Sequence, residues 1–227
     1  MKQLLTNVIQ TKELTAKGKE VTVNEFALQV RGEETDYSSE DVTFKVLATY
    51  SKLLQWNKEG NRVLNETVYF EAVPKGVLIP DRLGGNACGR IFPSWQDKKS
   101  FSPSERDAAN PNNAKWYTFL FGEVTFPGKA PVLVNYRITG NQCFDFGAIE
   151  KAIKDKGAKL NQTLLKLSAV PREGKEHLAT TEYTILQTDL DASANAGALQ
   201  QIEEFIEVEN GKIKDEHNAA LAAKKTA

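Results

Sequence analysis

Hydrophobic and polar residues alternate along much of the first 190 positions, with the period of two that is typical of β-strands. Residues 116–126 (WYTFLFGEVTF) place apolar side chains in both alternating sets, which predicts a strand covered on both faces. The turn sequence PGKA then leads to residues 132–139 (VLVNYRIT), where apolar and polar positions alternate. Together these segments predict a β-hairpin.

A helical period replaces the alternation after this hairpin. Asp145 is suited to cap a helix N-terminus, and Gly157 is suited to end the helix. The apolar stripe between them consists of Phe146, Ile149, Ala152 and Ile153. We therefore predict a short capped helix between residues 145 and 157. After it, the segments TLLKLSAV and LATTEYTIL flank the turn PREGKE and predict a second hairpin.

The earlier part of the chain adds further strands. Residues 4–18 and 20–32 predict two strands joined near Gly18. Residues 42–56 (VTFKVLATYSKLLQW) fit both a strand and a helix, and their valine and threonine content together with the following turn NKEGN favours a strand. The segment VLNETVYFEAV is also strand-like. At least seven strands predict a mainly β (β-rich α+β) fold with an antiparallel barrel or sheet, and the element order from 116 to 187 is compatible with an OB-like barrel.

A second helix is predicted beyond Gln187. Asp191 and Ser193 are capping residues, so we expect the helix to begin near residue 194 and Gly211 to break it. Its apolar stripe consists of Leu199, Ile202, Phe205 and Ile206. This stripe either packs within the molecule, which we favour, or docks a partner helix. The predicted domains are residues 1–190, a single β-rich domain with a long loop at about 74–115, and residues 191–227, a C-terminal helical extension.

The long loop is rich in glycine, proline, serine and asparagine, and it interleaves aromatic residues with cations. Single-stranded nucleic-acid grooves use rings that stack on bases and cations that meet phosphates. The candidate binding residues in the loop are Arg90, Phe92, Trp95, Lys98, Lys99 and Arg106. The alternative is that the two aromatic residues fix the loop to the core.

Charge is distributed unevenly along a chain whose net charge is −1. Residues 151–175 hold seven cations and two anions, which predicts either a solvated face or a polyanion-binding surface. From this region Lys151, Lys154 and Lys159 join the candidate nucleic-acid-binding residues. Arg137 joins them because it lies opposite Tyr136 on its strand and therefore faces a groove if Tyr136 faces the interior.

The motifs of common enzyme classes are missing from the sequence, and we expect no catalytic residues, cofactor or metal. His177 and His217 stand outside any catalytic motif, and together with Cys88 and Cys143 they lack the spacing of a zinc site. No apolar run approaches the roughly 20 residues that cross a membrane, and no signal peptide is recognisable. We therefore expect a cytoplasmic protein with reduced thiols.

The order of elements between residues 116 and 187, with the size of the chain, resembles phage-type single-stranded DNA-binding proteins with an OB-like core. That resemblance implies a sequence-tolerant protein that binds single-stranded DNA or RNA in phage or mobile-element DNA replication or recombination. Many such proteins end in an acidic tail that recruits partners, whereas this chain ends AALAAKKTA. The alternative is a β-rich interaction or assembly subunit, with a protein partner at the C-terminal helix and no nucleic-acid binding.

Two variants of the loop test the nucleic-acid hypothesis. Charge reversal at Lys98 and Lys99 should weaken single-strand binding and flatten its salt dependence by about 0.7 per lost phosphate contact. Trp95→Ala should lower the affinity by about 1 to 3 kcal/mol with the salt slope nearly intact, because stacking releases few ions. Titration of a single-stranded oligonucleotide at several salt concentrations measures both quantities. A lower melting temperature for Trp95→Ala without any binding would instead place Trp95 in the core.

Overall fold

A computed structural model describes residues 3–16, 19–31, 36–57, 62–71, 79–86, 114–172 and 175–226. The fold is mainly β, as predicted, with a short helix and a C-terminal helix. The strands are β1 (Leu4–Ala16), β2 (Lys19–Arg31), β3 (Asp36–Ser39), β4 (Asp41–Trp56), β5 (Val63–Glu66), β6 (Lys115–Thr125), β7 (Val132–Thr139), β8 (Leu164–Arg172) and β9 (Lys175–Gln187). The α-helices are α1 (Asn141–Asp155) and α2 (Ala196–Thr226).

The strands form one mixed sheet in the order β3-β2-β1-β7-β6-β4-β8-β9, with β5 paired to β4. Antiparallel pairing joins β1 to β2 and β8 to β9, and a short parallel pairing joins β1 to β7. The predicted hairpins and the strand assignment of residues 42–56 are therefore confirmed. This arrangement is consistent with an OB-like fold.

The chain divides into two compact units. The first unit comprises Met1–Ala48 and Leu120–Ile202, and the second comprises Thr49–Phe119 and Glu203–Ala227. In the first unit the inward positions of the strands meet the buried side of α1 in one apolar core. Its largest fully buried side chains include Phe44, Tyr136 and Phe146. Burial of these rings supplies much of the driving force that holds α1 against the sheet.

Helix α1 ends as predicted but begins five residues earlier than predicted, at Asn141. At its end Gly157 adopts a φ of 74°, its N–H donates to the Lys154 carbonyl at 2.9 Å, and the N–H of Ala158 donates to the Ile153 carbonyl at 3.2 Å. This pair of bonds is a Schellman motif, which requires a residue that tolerates the left-handed conformation. Gly157 is that residue.

The prediction that Asp145 caps the N-terminus of α1 is wrong. The capping position is Gly140, whose φ of 60° turns the chain directly from β7 into the helix, and no side chain caps it. Asp145 lies inside α1 and is exposed. The added first turn is held in place because Cys143 packs against the core of the first unit.

Helix α2 continues through Gly211, so the predicted break is wrong. In the second unit Ile213 is buried against Leu53, Val68 and Ile79. Polar side chains beyond the glycine add contacts to residues 81–84: Glu216 pairs with Arg82, and Lys224 donates to the carbonyls of Leu83 and Gly84. These contacts outweigh the roughly 1 kcal/mol by which glycine disfavours a helix interior. The predicted intramolecular packing of the helix stripe is confirmed by the burial of Ile202 and Ile206.

Most of the predicted long loop lies outside the described residues. Among the helices that the structure describes, none combines the length and the apolar character needed to cross a membrane.

Strand β6 approaches β4 so closely that one position in it admits only glycine. A Cβ atom on Gly122 would overlap the carbonyl oxygen of Lys45. Gly147, inside α1, has open space around its Cβ position. The same substitution should therefore have opposite effects at the two sites.

We expect Gly122→Ala to lower the free energy of unfolding by about 1 to 3 kcal/mol, since one strand must move to relieve the overlap. Gly147→Ala should raise it by about 0.5 to 1 kcal/mol, because alanine favours the helix and meets no neighbour. Urea unfolding of the two variants measures both values. Equal effects at the two positions would contradict the close approach of β6 to β4.

Candidate nucleic-acid interface

The outward side of α1 combines an aromatic ring with two cations. Phe144 is 73% exposed, and Lys151 and Lys154 are exposed as well. Residues seven apart in an α-helix lie on the same face, about 10 Å apart along the axis, so Lys151 follows Phe144 two turns later. Lys154 follows Lys151 by one further turn. We call Phe144, Lys151 and Lys154 the α1 outer face.

Small residues occupy the turn between the ring and the cations. Gly147 and Ala148 lie between Phe144 and Lys151, and they leave space beside the ring. Asp155 is exposed one turn beyond Lys151 on the same side of the helix. Glu150 is also exposed, one turn before Lys154 on the same side of the helix. Each lysine of the outer face therefore has an exposed carboxylate one turn away.

The packing of the opposite side of α1 explains why Phe144 is exposed. Phe146 and Ile153 are buried in the core of the first unit, and the Phe146 ring meets the Tyr183 ring at a centroid distance of 5.6 Å. Phe144 precedes Phe146 by two positions and therefore points about 160° away from it around the helix. The two phenylalanines cannot both enter the core.

A trough runs along α1 on the side that faces β8 and β9. It consists of two adjoining cavities of about 500 Å³ and about 620 Å³. Asn141, Arg172 and Thr180 line both of them. We call the first cavity the amide section, because Asn7 and Gln142 also line it, and the second the carboxylate section, because Asp145 and Glu182 line it. Both volumes are within the range of small-molecule sites.

A ring of three hydrogen bonds lies beside the trough. The side-chain NH2 group of Asn7 donates to the Tyr136 hydroxyl at 3.1 Å, and the Thr181 hydroxyl donates to the side-chain oxygen of Asn7 at 2.9 Å. The Tyr136 and Thr181 oxygens are 2.6 Å apart, which closes the ring with Tyr136 as the donor. Burial raises the pKa of Tyr136, and its hydrogen bonds with Thr181 and Asn7 oppose that rise. The network fixes β1, β7 and β9 next to the trough.

Tyr183, at the carboxylate section, carries a more strongly perturbed hydroxyl. Burial raises the pKa of Tyr183 well above its ordinary value, and the neighbouring Tyr136 and Asp145 raise this pKa further. Among the described residues, no group meets hydrogen-bond geometry with the Tyr183 oxygen. Ionisation of this phenol in the folded protein is therefore strongly disfavoured.

The structure places four of the ten predicted binding residues. Lys151 and Lys154 lie together on the α1 outer face, Lys159 is exposed beyond the end of α1, and Arg137 is half-buried on β7. Tyr136 is buried, as the prediction of opposite faces for Tyr136 and Arg137 requires. The six loop residues lie outside the described ranges, and they are Arg90, Phe92, Trp95, Lys98, Lys99 and Arg106.

Sequence reasoning missed Phe144 as a candidate site residue, and it counted Arg172 only among the seven cations of residues 151–175. A helix that starts at Asn141 places Phe144 two turns before Lys151, whereas a helix that starts after Asp145 leaves Phe144 outside the pattern. Arg172 was assigned to the turn PREGKE, but it pairs with Lys175 inside the β8–β9 ladder. Within the described ranges, no three metal-ligating side chains come together.

Comparison of the chain with protein-family models, with curated proteins and with solved structures finds no match.

The buried tyrosines predict a loss of stability at high pH. Their pKa values are raised in the folded state, so the unfolded chain loses these protons first, from its ordinary value of 10.0 upward. Their contribution to stability is complete below about pH 10 and falls above it. Tyr183→Phe should therefore lose less unfolding free energy than the wild type between about pH 9 and pH 11.

Urea unfolding at both pH values measures this difference. Tyr37→Phe is the matched control, because it removes a tyrosine hydroxyl outside the cluster. An equally steep loss in Tyr183→Phe and in the wild type would show that Tyr183 does not contribute.

Proposed function

We propose that this protein binds single-stranded nucleic acid with little sequence preference, in the cytoplasm, during phage or mobile-element DNA replication or recombination. The observation that carries the proposal is the α1 outer face, where the 73% exposed ring of Phe144 precedes Lys151 and Lys154 on one side of a helix. This face supplies the two elements that single-strand binding uses, an aromatic surface for bases and cations for the backbone.

The chemistry of the α1 outer face favours strands over duplexes. A base can cover the Phe144 ring only if it is unstacked from its neighbours, as bases in a single strand readily are. Every base has a π-face, so stacking on Phe144 tolerates any sequence. Lys151 and Lys154 are flexible point charges, which meet phosphates without reading bases.

The loop residues predicted from the sequence fit the same function. In the sequence, Trp95 with Lys98 and Lys99 repeats the combination of ring and cation that Phe144 and Lys151 present. An assembly subunit needs no such alternation, so the salt dependence of strand binding separates the two functions.

Phe144→Ala and Lys151→Glu should weaken strand binding in different ways. Phe144→Ala should cost about 1 to 3 kcal/mol of binding free energy at every salt concentration, because it removes stacking. Lys151→Glu should weaken binding and reduce the slope of log affinity against log salt by about 0.7 or more, because it removes a phosphate contact. Fluorescence anisotropy of a labelled oligonucleotide at several salt concentrations measures both effects.

Two exposed positions of α2 supply matched controls. Lys214→Glu makes the same change in net charge, and Val208→Ala truncates another exposed apolar side chain. Neither should change the affinity as the α1 variants do. Asp155→Asn should tighten binding, since it removes the carboxylate beside Lys151.

Two results would contradict the proposal. The first is that the wild type does not bind the oligonucleotide at low salt. The second is that Phe144→Ala and Lys151→Glu bind it as tightly as the wild type does.

A further inference from the structure

We propose that the trough beside α1 holds one nucleotide of the bound strand, with its phosphate at Arg172 and an amine-bearing base (cytosine, adenine or guanine) in the carboxylate section. This inference rests on the proposed function, because it takes the ligand from the strand that the α1 outer face binds. It adds a preference for particular bases at one position of an otherwise sequence-tolerant interface.

The amide section has the chemistry of a phosphate subsite. Among its described lining residues Arg172 carries the single charge. Around it lie neutral hydrogen-bonding groups, including the side chains of Asn141, Gln142 and Thr180. A guanidinium matches two phosphate oxygens at once, and amide and hydroxyl donors can bond those that remain. This section would therefore take an anion with several acceptor oxygens.

The carboxylate section has the chemistry of a base subsite. Ile149, Val170 and Pro171 supply apolar surface that a planar ring can cover. Asp145 and Glu182 line the same section and offer carboxylate oxygens, which accept hydrogen bonds. Carboxylates recognise the exocyclic amine of cytosine, whereas thymine presents a carbonyl oxygen at the equivalent position. The section should therefore accept cytosine and disfavour thymine.

The two sections separate opposite charges along one ligand. Arg172 lines both of them and so lies near their junction, while Asp145 and Glu182 belong to the carboxylate section alone. A phosphate bound at the amide section avoids the carboxylates, and an amine bound beside Asp145 and Glu182 meets acceptor oxygens. This polarity fits a nucleotide and does not fit a simple anion.

The trough and the α1 outer face are neighbours on the same helix. Ala148 lines the carboxylate section and follows Phe144 by one turn. A strand whose base stacks on Phe144 can therefore place an adjacent nucleotide in the trough.

Mononucleotides test the trough without the outer face. Equilibrium dialysis should show saturable binding of dCMP by the full chain, with dTMP and inorganic phosphate each about tenfold weaker or more. Arg172→Gln should weaken dCMP binding about tenfold or more, because charge-assisted hydrogen bonds to the phosphate are lost. Arg172→Lys should recover part of the loss, because it keeps the charge without the planar fork. Glu182→Gln should reduce the preference for dCMP over dTMP.

Controls separate binding from folding. Arg62→Gln makes the same change at an exposed arginine of the second unit and should bind dCMP as the wild type does. If Arg172→Gln lowers the melting temperature, Ala148→Phe tests the trough instead. This substitution fills the trough from an exposed helix position and removes no polar group. Ala148→Phe should abolish dCMP binding and keep the wild-type melting temperature.

The proposal is overturned if the wild type does not bind dCMP saturably at millimolar concentration, or if folded Arg172→Gln or Ala148→Phe binds it equally well. It is also overturned if phosphate alone binds as tightly as dCMP. If only the trough proposal is wrong, oligonucleotide binding still occurs and is still weakened by Phe144→Ala. Failure of the proposed function instead leaves dCMP binding intact while no oligonucleotide binds at low salt.

Discussion

The first unit depends on the close approach of β6 to β4 at Gly122. The absence of a side chain at Gly122 lets the backbone of β6 lie against the carbonyl of Lys45. The same Lys45 pairs with Leu164 of β8, and its ammonium donates to the side chain of the buried Asn195, which donates in turn to the Asn161 carbonyl. This one backbone contact thus sets the position of β4, the strand that contacts β6, β8 and the turn before α2. The β8–β9 hairpin, which forms one wall of the trough, is aligned from this point.

Features that depend on neighbours in the sequence could be predicted. The turn PGKA closes the β6–β7 hairpin with a hydrogen bond from Lys129 to Phe126, and Gly157 ends α1, because turn and cap geometry are local properties. Residues 42–56 fitted two periods for a physical reason. Burial alternates over residues 42–46 but is continuous over residues 51–54, so the strand pattern is clear only in its first part.

Features that depend on distant residues could not be predicted. Asp145 has the chemistry of a cap, but the helix gains its extra turn from the packing of Cys143, which no local pattern reveals. Gly211 disfavours a helix locally, and tertiary contacts on both sides of it decide the outcome. The trough brings together Asn7, Arg172 and Thr180, which the sequence separates widely. Its polar lining is therefore visible only after β1, α1 and the β8–β9 hairpin have been placed.

The side chain of Asn210 in α2 makes two hydrogen bonds with the backbone of Tyr69. Its side-chain oxygen accepts from the Tyr69 N–H at 2.6 Å, and its amide donates to the Tyr69 carbonyl at 3.1 Å. The next residue, Phe70, pairs with Ser51 of β4, so Tyr69 presents its own donor and acceptor on the side away from β4. Next to Tyr69 this side is already paired, since Val68 donates its N–H to the Pro80 carbonyl at 3.2 Å and Arg82 donates its N–H to the Glu66 carbonyl at 3.0 Å. Asn210 therefore extends that pairing by one residue with a single side chain, and it occupies backbone groups of Tyr69 that a strand from another molecule could otherwise bind.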